Sequence, residues 1–328
     1  MSLTQLIVAF GSLAAWAIVL RSRQGPPNVT AVELKFTHIL PACLQTVLFA
    51  YWSTYWPDVL MHIPAIVVQL AYAYAFEFLL NWNLRRPYVP GLGPVPVVLS
   101  MNLFVWFPDF LLAVSAITLA LMSKTLLHSH GRHIFNPAVF GLTVVSVFCS
   151  VWPEVFVYQD VSHEFDRPPY MEQLVFLLAL IPQVRLGITP VAVGAVVGML
   201  APMLVVQALI GYRGGPTPWW PAWLLATTLL AGDPATIPST SIARLLFGLF
   251  LGVAFYVVSR ALLFTVETDF FAKIIPIAMA NLLVPTFERA GRQLLLRWPT
   301  ALVTAGNRAY VVTWITFFAI VSLITTVL

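Results

Sequence analysis

The chain of 328 residues is 60% hydrophobic and only 9% charged, with a mean hydropathy of +0.88. Because soluble domains carry about 25% charged residues, this composition excludes an ordinary soluble protein and predicts a polytopic membrane protein. Alternating strand patterns are absent, and backbone groups in lipid must bond within their own segment, so the predicted fold class is all-α. Cys43 and Cys149 are the only cysteines, which argues against a disulfide framework or a cysteine-ligated cluster.

Twelve apolar segments follow one another along the chain and predict 10–12 transmembrane segments. The short ones near 96–107, 172–184 and 219–232 have lengths that suit half-helices as well as full spans. The segments lie near 4–20, 38–56, 59–80, 96–107, 109–123, 136–152, 172–184, 190–211, 219–232, 244–263, 271–287 and 309–328.

The basic residues alternate between the predicted loops, as the positive-inside rule requires. With the N-terminus outside, only Arg167, Arg213, Arg260 and Lys273 of the 17 Lys and Arg residues fall outside. The net charge of +4 is therefore interpreted as a topology signal, and no nucleic-acid partner is expected. The predicted location is the bacterial cytoplasmic membrane, with the lipid bilayer as an obligatory partner.

Two polar interruptions break the apolar pattern. In the first, residues 128–138 (HSHGRHIFNPA), Asn136 precedes Pro137, and an Asn before a first-turn proline typically caps a helix. In the second, residues 232–235 (GDPA), Asp233 is expected to do the same. Paired broken helices indicate a binding site in repeat-built membrane proteins, and positive helix ends favour anions. The sequence thus predicts a faint internal repeat, with broken helices around one site.

Other polar residues offer further candidates. After the second interruption, hydroxyl residues including Thr236 precede Arg244 and suit phosphate or polar ring atoms. The histidines of the first interruption, in an H-x-H-x-x-H pattern, are interpreted as a solvated turn rather than a metal site, because no acid or cysteine lies close by. Glu77, inside an apolar segment, is a candidate for proton or cation handling. Glycines four residues apart at 194 and 198, and at 248 and 252, predict close helix packing.

Three stretches resemble the NqrB/RnfD family of membrane subunits from flavin-dependent electron-transport complexes. They are residues 108–141, which end in HSHGRHIFNPAVFG; residues 229–252, LLAGDPATIPSTSIARLLFGLFLG; and residues 277–292, IAMANLLVPTFERAGR. The resemblance implies internally repeated broken helices, as in urea channels. It divides the chain into N-terminal helices at 1–93, a family-like core at 94–292 and a C-terminal loop with the last helix at 293–328. The chain also resembles a divergent RnfD-like branch of this family, which is found beside enediyne biosynthesis genes.

The family carries FMN on the Thr of an S-G-A-T type motif, and the nearest match here is residues 186–190 (LGITP). Gly187 and Thr189 are kept, whereas Leu186 replaces the Ser and Gln183 stands where the family has an Asp. These departures argue against covalent attachment at Thr189. The cofactor that the resemblance implies is FMN or riboflavin, lined by six residues: Asn136, Gly187, Thr189, Asp233, Thr236 and Arg244.

The function implied by the resemblance is that of a membrane-embedded electron-transfer subunit. It would exchange electrons with other membrane or peripheral redox subunits, and the flavin would supply the redox chemistry. Two alternatives remain open at this point, because a fold does not determine a function. One is a channel or transporter for a small solute with the same architecture, and the other is a scaffold of a membrane biosynthetic complex.

Overall fold

The computed structural model describes residues 2–129, 131–154, 157–211, 220–262, 269–297 and 306–327. Within these residues it is almost entirely helical, with four two-residue strands. The helices are α1 Leu3–Gln24, α2 Phe36–Tyr55, α3 Pro57–Asn83, α4 Pro94–Asn102, α5 Phe110–Leu126, α6 Pro137–Val151, α7 Met171–Leu186, α8 Thr189–Ile210, α9 Pro221–Leu225, α10 Ser241–Leu262, α11 Asp269–Leu282, α12 Val284–Arg297 and α13 Asn307–Val327. The strands are β1 Val105–Trp106, β2 His128–Ser129, β3 Arg132–His133 and β4 Gln159–Asp160.

Four of the described helices, α1, α3, α8 and α10, are long and apolar enough to cross a membrane. The bent pair α11 and α12 makes a fifth if it is one span, and α5, α6, α13 and Pro221–Leu230 are shorter apolar helices. The protein is therefore an all-α polytopic membrane protein, as the composition predicted. The total of 10–12 crossings counts shorter helices as well and stays a prediction.

Two of the three short segments are short helices, as expected. Helix α4 has nine residues, and α9 has five residues that continue into the π-helical segment Ala226–Leu230. The third, α7, is longer, at 16 residues. A π-helical turn shifts the hydrogen-bond ladder by one residue and often accompanies a functional site.

Contacts divide the chain into two compact units. Unit 1 contains Met1–Leu127 and Pro137–Ser162, and unit 2 contains His128–Asn136 and His163–Leu328. These units follow packing, whereas the divisions at residues 93 and 292 follow the family resemblance and stay a prediction.

In unit 1, α3 packs against α1, α2, α4 and α5, and α5 packs against α6. Gly141 permits the last of these contacts, since a Cβ there would lie 2.3 Å from the Ala116 carbonyl oxygen. Buried side chains supply a polar centre: Asn102 donates to Gln69 Oε1 at 2.6 Å, and its own Oδ1 lies 2.9 Å from His62 Nε2.

Glu77, the candidate for proton or cation handling, forms an ion pair in unit 1. Its Oε1 lies 2.9 Å from Lys124 Nζ, and the two side chains are 13% and 18% exposed. A mostly buried acid needs such a partner because an isolated charge is expensive to desolvate. The ion pair thus explains how Glu77 is accommodated, and a role in proton or cation handling stays a prediction.

In unit 2 the main contact joins α8 to α10 through the glycines that the sequence singled out. A Cβ on Gly252 would lie 2.0 Å from the Ala195 carbonyl oxygen, and one on Gly198 would lie 2.2 Å from that of Leu249. The predicted small-residue faces are confirmed. They bring the two backbones together, with the two helices running in the same direction.

The structure corrects two expectations. The single segment predicted at 271–287 is broken at Leu283, and its halves α11 and α12 are bent by 62°. Pro285 explains the break, because it has no N–H to continue the helical ladder towards Asn281. The second correction concerns the two expected helix starts. Helix α6 begins at Pro137, as expected, but no helix begins at Pro234, because α10 starts only at Ser241.

Replacing Gly252 with Ala tests the α8–α10 contact. The added methyl overlaps a backbone carbonyl, so we expect Gly252→Ala to lower the free energy of unfolding by about 1–3 kcal/mol. Thermal unfolding in detergent measures the effect. Gly11→Ala on α1 is the control because its Cβ would meet nothing within 4 Å. Equal stability of the two variants would contradict this packing.

Candidate functional site

The candidate site is built around residues 231–240, which we call the polar turn. This segment, AGDPATIPST, joins the π-helical segment to α10; half of its residues are buried and only Ser239 is exposed. Asp233 Oδ1 accepts a hydrogen bond from the Ala235 N–H at 3.0 Å, so the carboxylate stabilises a turn here rather than capping a helix. The expected second helix start at Asp233 is therefore wrong. Pro234 and Pro238 lack N–H groups, which disfavours helix until Ser241.

Side chains from the first interruption bind the carbonyl oxygens of this region. Arg132 Nη2 donates to the carbonyls of Pro234 at 2.6 Å and Ile237 at 2.7 Å. Asn136 Nδ2 donates to the Leu230 carbonyl at 3.0 Å, at the end of the π-helical segment. The two polar interruptions thus meet in unit 2, as the sequence predicted, although they meet through backbone oxygens.

Asn281 connects the two interruptions at the α11–α12 break. Its Oδ1 accepts from the Asn136 N–H at 3.1 Å, and its Nδ2 donates to the Thr236 carbonyl at 3.1 Å. Thr236 in turn donates its hydroxyl to the Asp233 carbonyl at 3.2 Å. Asn136, Thr236 and Asp233 are therefore linked, and Asn281, which the sequence did not single out, is the side chain that links them.

Arg244, in the first turn of α10, joins the polar turn to the α7–α8 turn. Its Nε donates to the Pro238 carbonyl at 2.8 Å, and its Nη1 donates to the Gly187 carbonyl at 2.6 Å. Gly187 has φ +69°, and a Cβ there would lie 3.0 Å from Arg244 Nη1, so the position favours glycine twice over. Gly187 and Arg244 are thereby brought together.

Two arginines and two acidic residues lie around the polar turn. Glu288 on α12 accepts from the Ser239 hydroxyl at 2.9 Å and from its N–H at 2.5 Å, and it attracts Arg244 electrostatically. Arg132 and Arg244 repel one another, and neither forms an ion pair with a described residue. With the carboxylates of Asp233 and Glu288, the two guanidinium groups leave the formal charges of this region balanced, and an anion would be attracted only where the two arginines face the same space.

Thr189, the first residue of α8, is fully buried, and its hydroxyl donates to the Gln183 carbonyl at 3.3 Å. Asn307 Nδ2 donates to the same carbonyl at 3.2 Å. A Cβ on Gly232 would lie 2.9 Å from Ile188 Cδ1, so the α7–α8 turn also contacts the polar turn. All six predicted site residues thus lie in one connected region of unit 2.

Gln183 is the most unusual side chain in this region. It is 1% exposed, and both its Nε2 and its Oε1 are buried without a hydrogen-bond partner in the described part of the chain. Because a buried, unpaired polar group costs about 1–3 kcal/mol, a whole amide left unpaired calls for a ligand or another explanation. The sequence marked this residue only as a departure from a motif.

Two further features lie outside the predicted site. Lys273 on α11 is fully buried, with its Nζ 5.7 Å from the centre of the Trp223 ring, and its placement on the outer side stays a prediction. The histidine pattern forms a hairpin in which His128 pairs with His133. His130, Arg213 and Trp219 lie outside the described residues.

Comparisons of the sequence with family models and with curated proteins gave no match. The NqrB/RnfD resemblance therefore stays a prediction based on residues 108–141, 229–252 and 277–292. The candidate site is supported only by the contacts described in this section.

The link through Asn281 can be tested by truncation. Asn281→Ala leaves the buried Asn136 N–H and Thr236 carbonyl without partners, so we expect a loss of about 2 kcal/mol or more in stability. Amide hydrogen exchange of residues 231–240 should also become faster. Asn83→Ala at an exposed helix end is the control. Unchanged exchange in Asn281→Ala would contradict the assigned link.

Proposed function

We propose that the protein binds a flavin non-covalently in unit 2, between the α7–α8 turn and the polar turn, and acts as an electron-transfer subunit. The observation that carries this proposal is the unpartnered amide of Gln183, buried one helical turn before Gly187. The six sequence-predicted residues surround the same region. The resemblance of residues 108–141, 229–252 and 277–292 to the NqrB/RnfD family supports a flavin as the ligand.

A flavin ring suits Gln183 because the two groups are complementary. The pyrimidine edge of the ring presents one N–H donor between two carbonyl acceptors, and a glutamine amide presents one donor and one acceptor side by side. Pairing them would satisfy both buried atoms of Gln183 at once. Such a pair fixes the orientation of a ring, which is the usual role of a few polar groups in a largely apolar ligand site.

The arginines favour a phosphate-bearing flavin, FMN, over riboflavin. Arg132 and Arg244 repel one another, and each already uses donors on backbone carbonyls that hold it in place. A phosphate near both would relieve this repulsion through charge-assisted hydrogen bonds. Arg244 is thus the proposed counter-charge, while Asn136, Asp233 and Thr236 shape the turn that positions it.

Thr189 does not suit covalent attachment in this structure. Its hydroxyl is fully buried and donates to the Gln183 carbonyl. A phosphoester on that oxygen would remove this hydrogen bond and require the surrounding turn to open. We therefore propose that the flavin is held by hydrogen bonds and charge rather than by a bond to Thr189.

When bound, a flavin supplies one-electron and two-electron redox chemistry, and the protein binds it, orients it and excludes water. In the proposed role, electrons pass between this flavin and partner redox subunits in or on the bacterial cytoplasmic membrane. The predicted excess of basic residues on one side of the membrane supports a location in the cytoplasmic membrane with that side facing the cytoplasm.

Gln183→Leu tests the proposal. The variant removes both unpartnered amide atoms and keeps the backbone carbonyl that Thr189 and Asn307 use. We expect the purified variant to retain about tenfold less flavin, since losing hydrogen bonds worth about 1.5 kcal/mol changes binding by that factor. Its flavin-free stability should be equal or higher, because an unpaired buried amide is gone. Flavin absorption and thermal unfolding measure the two effects.

Gln173→Leu, on the same helix α7, is the matched control and should retain flavin like the wild type. Equal flavin retention by Gln183→Leu and the wild type would contradict the assigned site. A wild-type protein that lacks flavin after gentle extraction with full cofactor supply would contradict the function itself. Solute flux in proteoliposomes would then favour a channel, and co-purification with partners without flux would favour a scaffold.

A further inference from the structure

A separate polar cavity lies in unit 1, where α1 and α3 end. The two helices run in the same direction, because Phe10 contacts Tyr72 near one end and Trp16 contacts Phe76 further along. Their C-terminal ends therefore lie together. Between them is a cavity of about 390 Å³ lined by Arg23, Gln24, Pro26, Asn28, Trp82, Arg85 and Arg86.

Among the described residues that line the cavity are three arginines and no acidic residue. Arg23 comes from the last turn of α1, whereas Arg85 and Arg86 follow the end of α3. None of the three forms an ion pair in the described part of the chain, where the Arg86 guanidinium donates only to the Thr125 carbonyl, at 3.3 Å. Basic residues at helix ends are common, but three unpaired guanidinium groups around one cavity match an anion.

Two residues that line the same cavity also carry a buried polar atom without a partner among the described residues. Trp82 is 9% exposed, and its Nε1–H donor is buried without an acceptor. Gln24 Oε1 is buried without a donor, although its Nε2 donates to the Asn83 carbonyl at 3.3 Å. Both atoms belong to residues that line the cavity; an indole N–H suits a phosphate oxygen, and an amide oxygen suits a neighbouring hydroxyl.

The backbone around the cavity is held in place by hydrogen bonds between two loops. The Tyr88 N–H donates to the Asn28 carbonyl at 2.9 Å, and the Thr30 N–H donates back to the Tyr88 carbonyl at 3.0 Å. Arg85 has φ 54°, a left-handed conformation that is strained for a residue with a side chain. Such strain is often kept at ligand sites, where the surrounding structure enforces it. The backbone that carries the cavity's arginines is thus held against the loop that contains Asn28.

We propose that this cavity binds a phosphate group that carries a neighbouring hydroxyl, namely the headgroup of an anionic phospholipid of the phosphatidylglycerol type. Both helices that form it are candidate spans, so the cavity lies at the end of the apolar region, where headgroups lie. The predicted topology places these arginines on the inner side. Basic pockets between transmembrane helices on that side bind anionic headgroups in other membrane proteins.

Native mass spectrometry of the full chain tests the proposal. The protein is supplied with phosphatidylglycerol or with phosphatidylcholine of the same acyl chains, and retained lipid is counted. We expect the wild type to prefer phosphatidylglycerol. The triple variant R23Q/R85Q/R86Q should lose this preference by about tenfold or more, since it removes three charge-assisted hydrogen-bond donors. All three arginines are exposed, so thermal unfolding should be unchanged.

The matched control is R289Q/R292Q/R297Q on α12, which removes the same charge from exposed positions on the same predicted side. It should retain phosphatidylglycerol like the wild type. A parallel measurement with radiolabelled inorganic phosphate separates the two sources of a phosphate group. Arginine-dependent binding of inorganic phosphate without lipid preference would support the phosphate site and replace the lipid by a soluble ligand. Equal lipid retention by both triple variants, with no phosphate binding, would overturn the proposal.

Discussion

A stretch of non-helical backbone in a membrane protein needs hydrogen-bond partners from the protein itself, because lipid provides none. In unit 2 this requirement falls on the polar turn and the end of the π-helical segment, where side chains bind the carbonyls of Leu230, Pro234, Thr236, Ile237 and Pro238. The donors are Asn136, Arg132, Asn281 and Arg244. Most of the polar residues that the sequence offered as ligands therefore also have a structural task. The side-chain amide of Gln183 has no hydrogen-bond partner among the described residues, so it is the group that most needs a ligand.

The close packing of α8 against α10 gives this network its position. Helix α8 begins at Thr189, directly after the α7–α8 turn, and α10 begins directly after the polar turn. Because glycines bring the two parallel helices into backbone contact, the turns that precede them are brought together as well. The contact between Ile188 and Gly232 and the bridge from Arg244 to Gly187 are consequences of this packing. Small residues far from the proposed ligand thus determine the geometry of its site.

The sequence predicted features that depend on composition and short patterns. These include the helical membrane class, the start of α6 at Pro137, the glycine contacts and the grouping of the six site residues. It failed where long-range geometry decides the outcome. Asp233-Pro234 resembles a helix start, but a second proline at 238 and the carbonyl ligands favour a turn. Nothing local showed that Asn281 would lie at a helix break beside Asn136, or that Lys273 and Gln183 would be buried.

A cryo-electron microscopy map of the purified protein, in a lipid nanodisc supplied with FMN, would show whether a flavin lies at Gln183. We expect planar ligand density within hydrogen-bonding distance of the Gln183 amide, with phosphate density beside Arg244 and no continuous density to Thr189. A map that shows flavin elsewhere, or one that shows the Gln183 amide enclosed by apolar side chains without ligand density, would contradict the proposal.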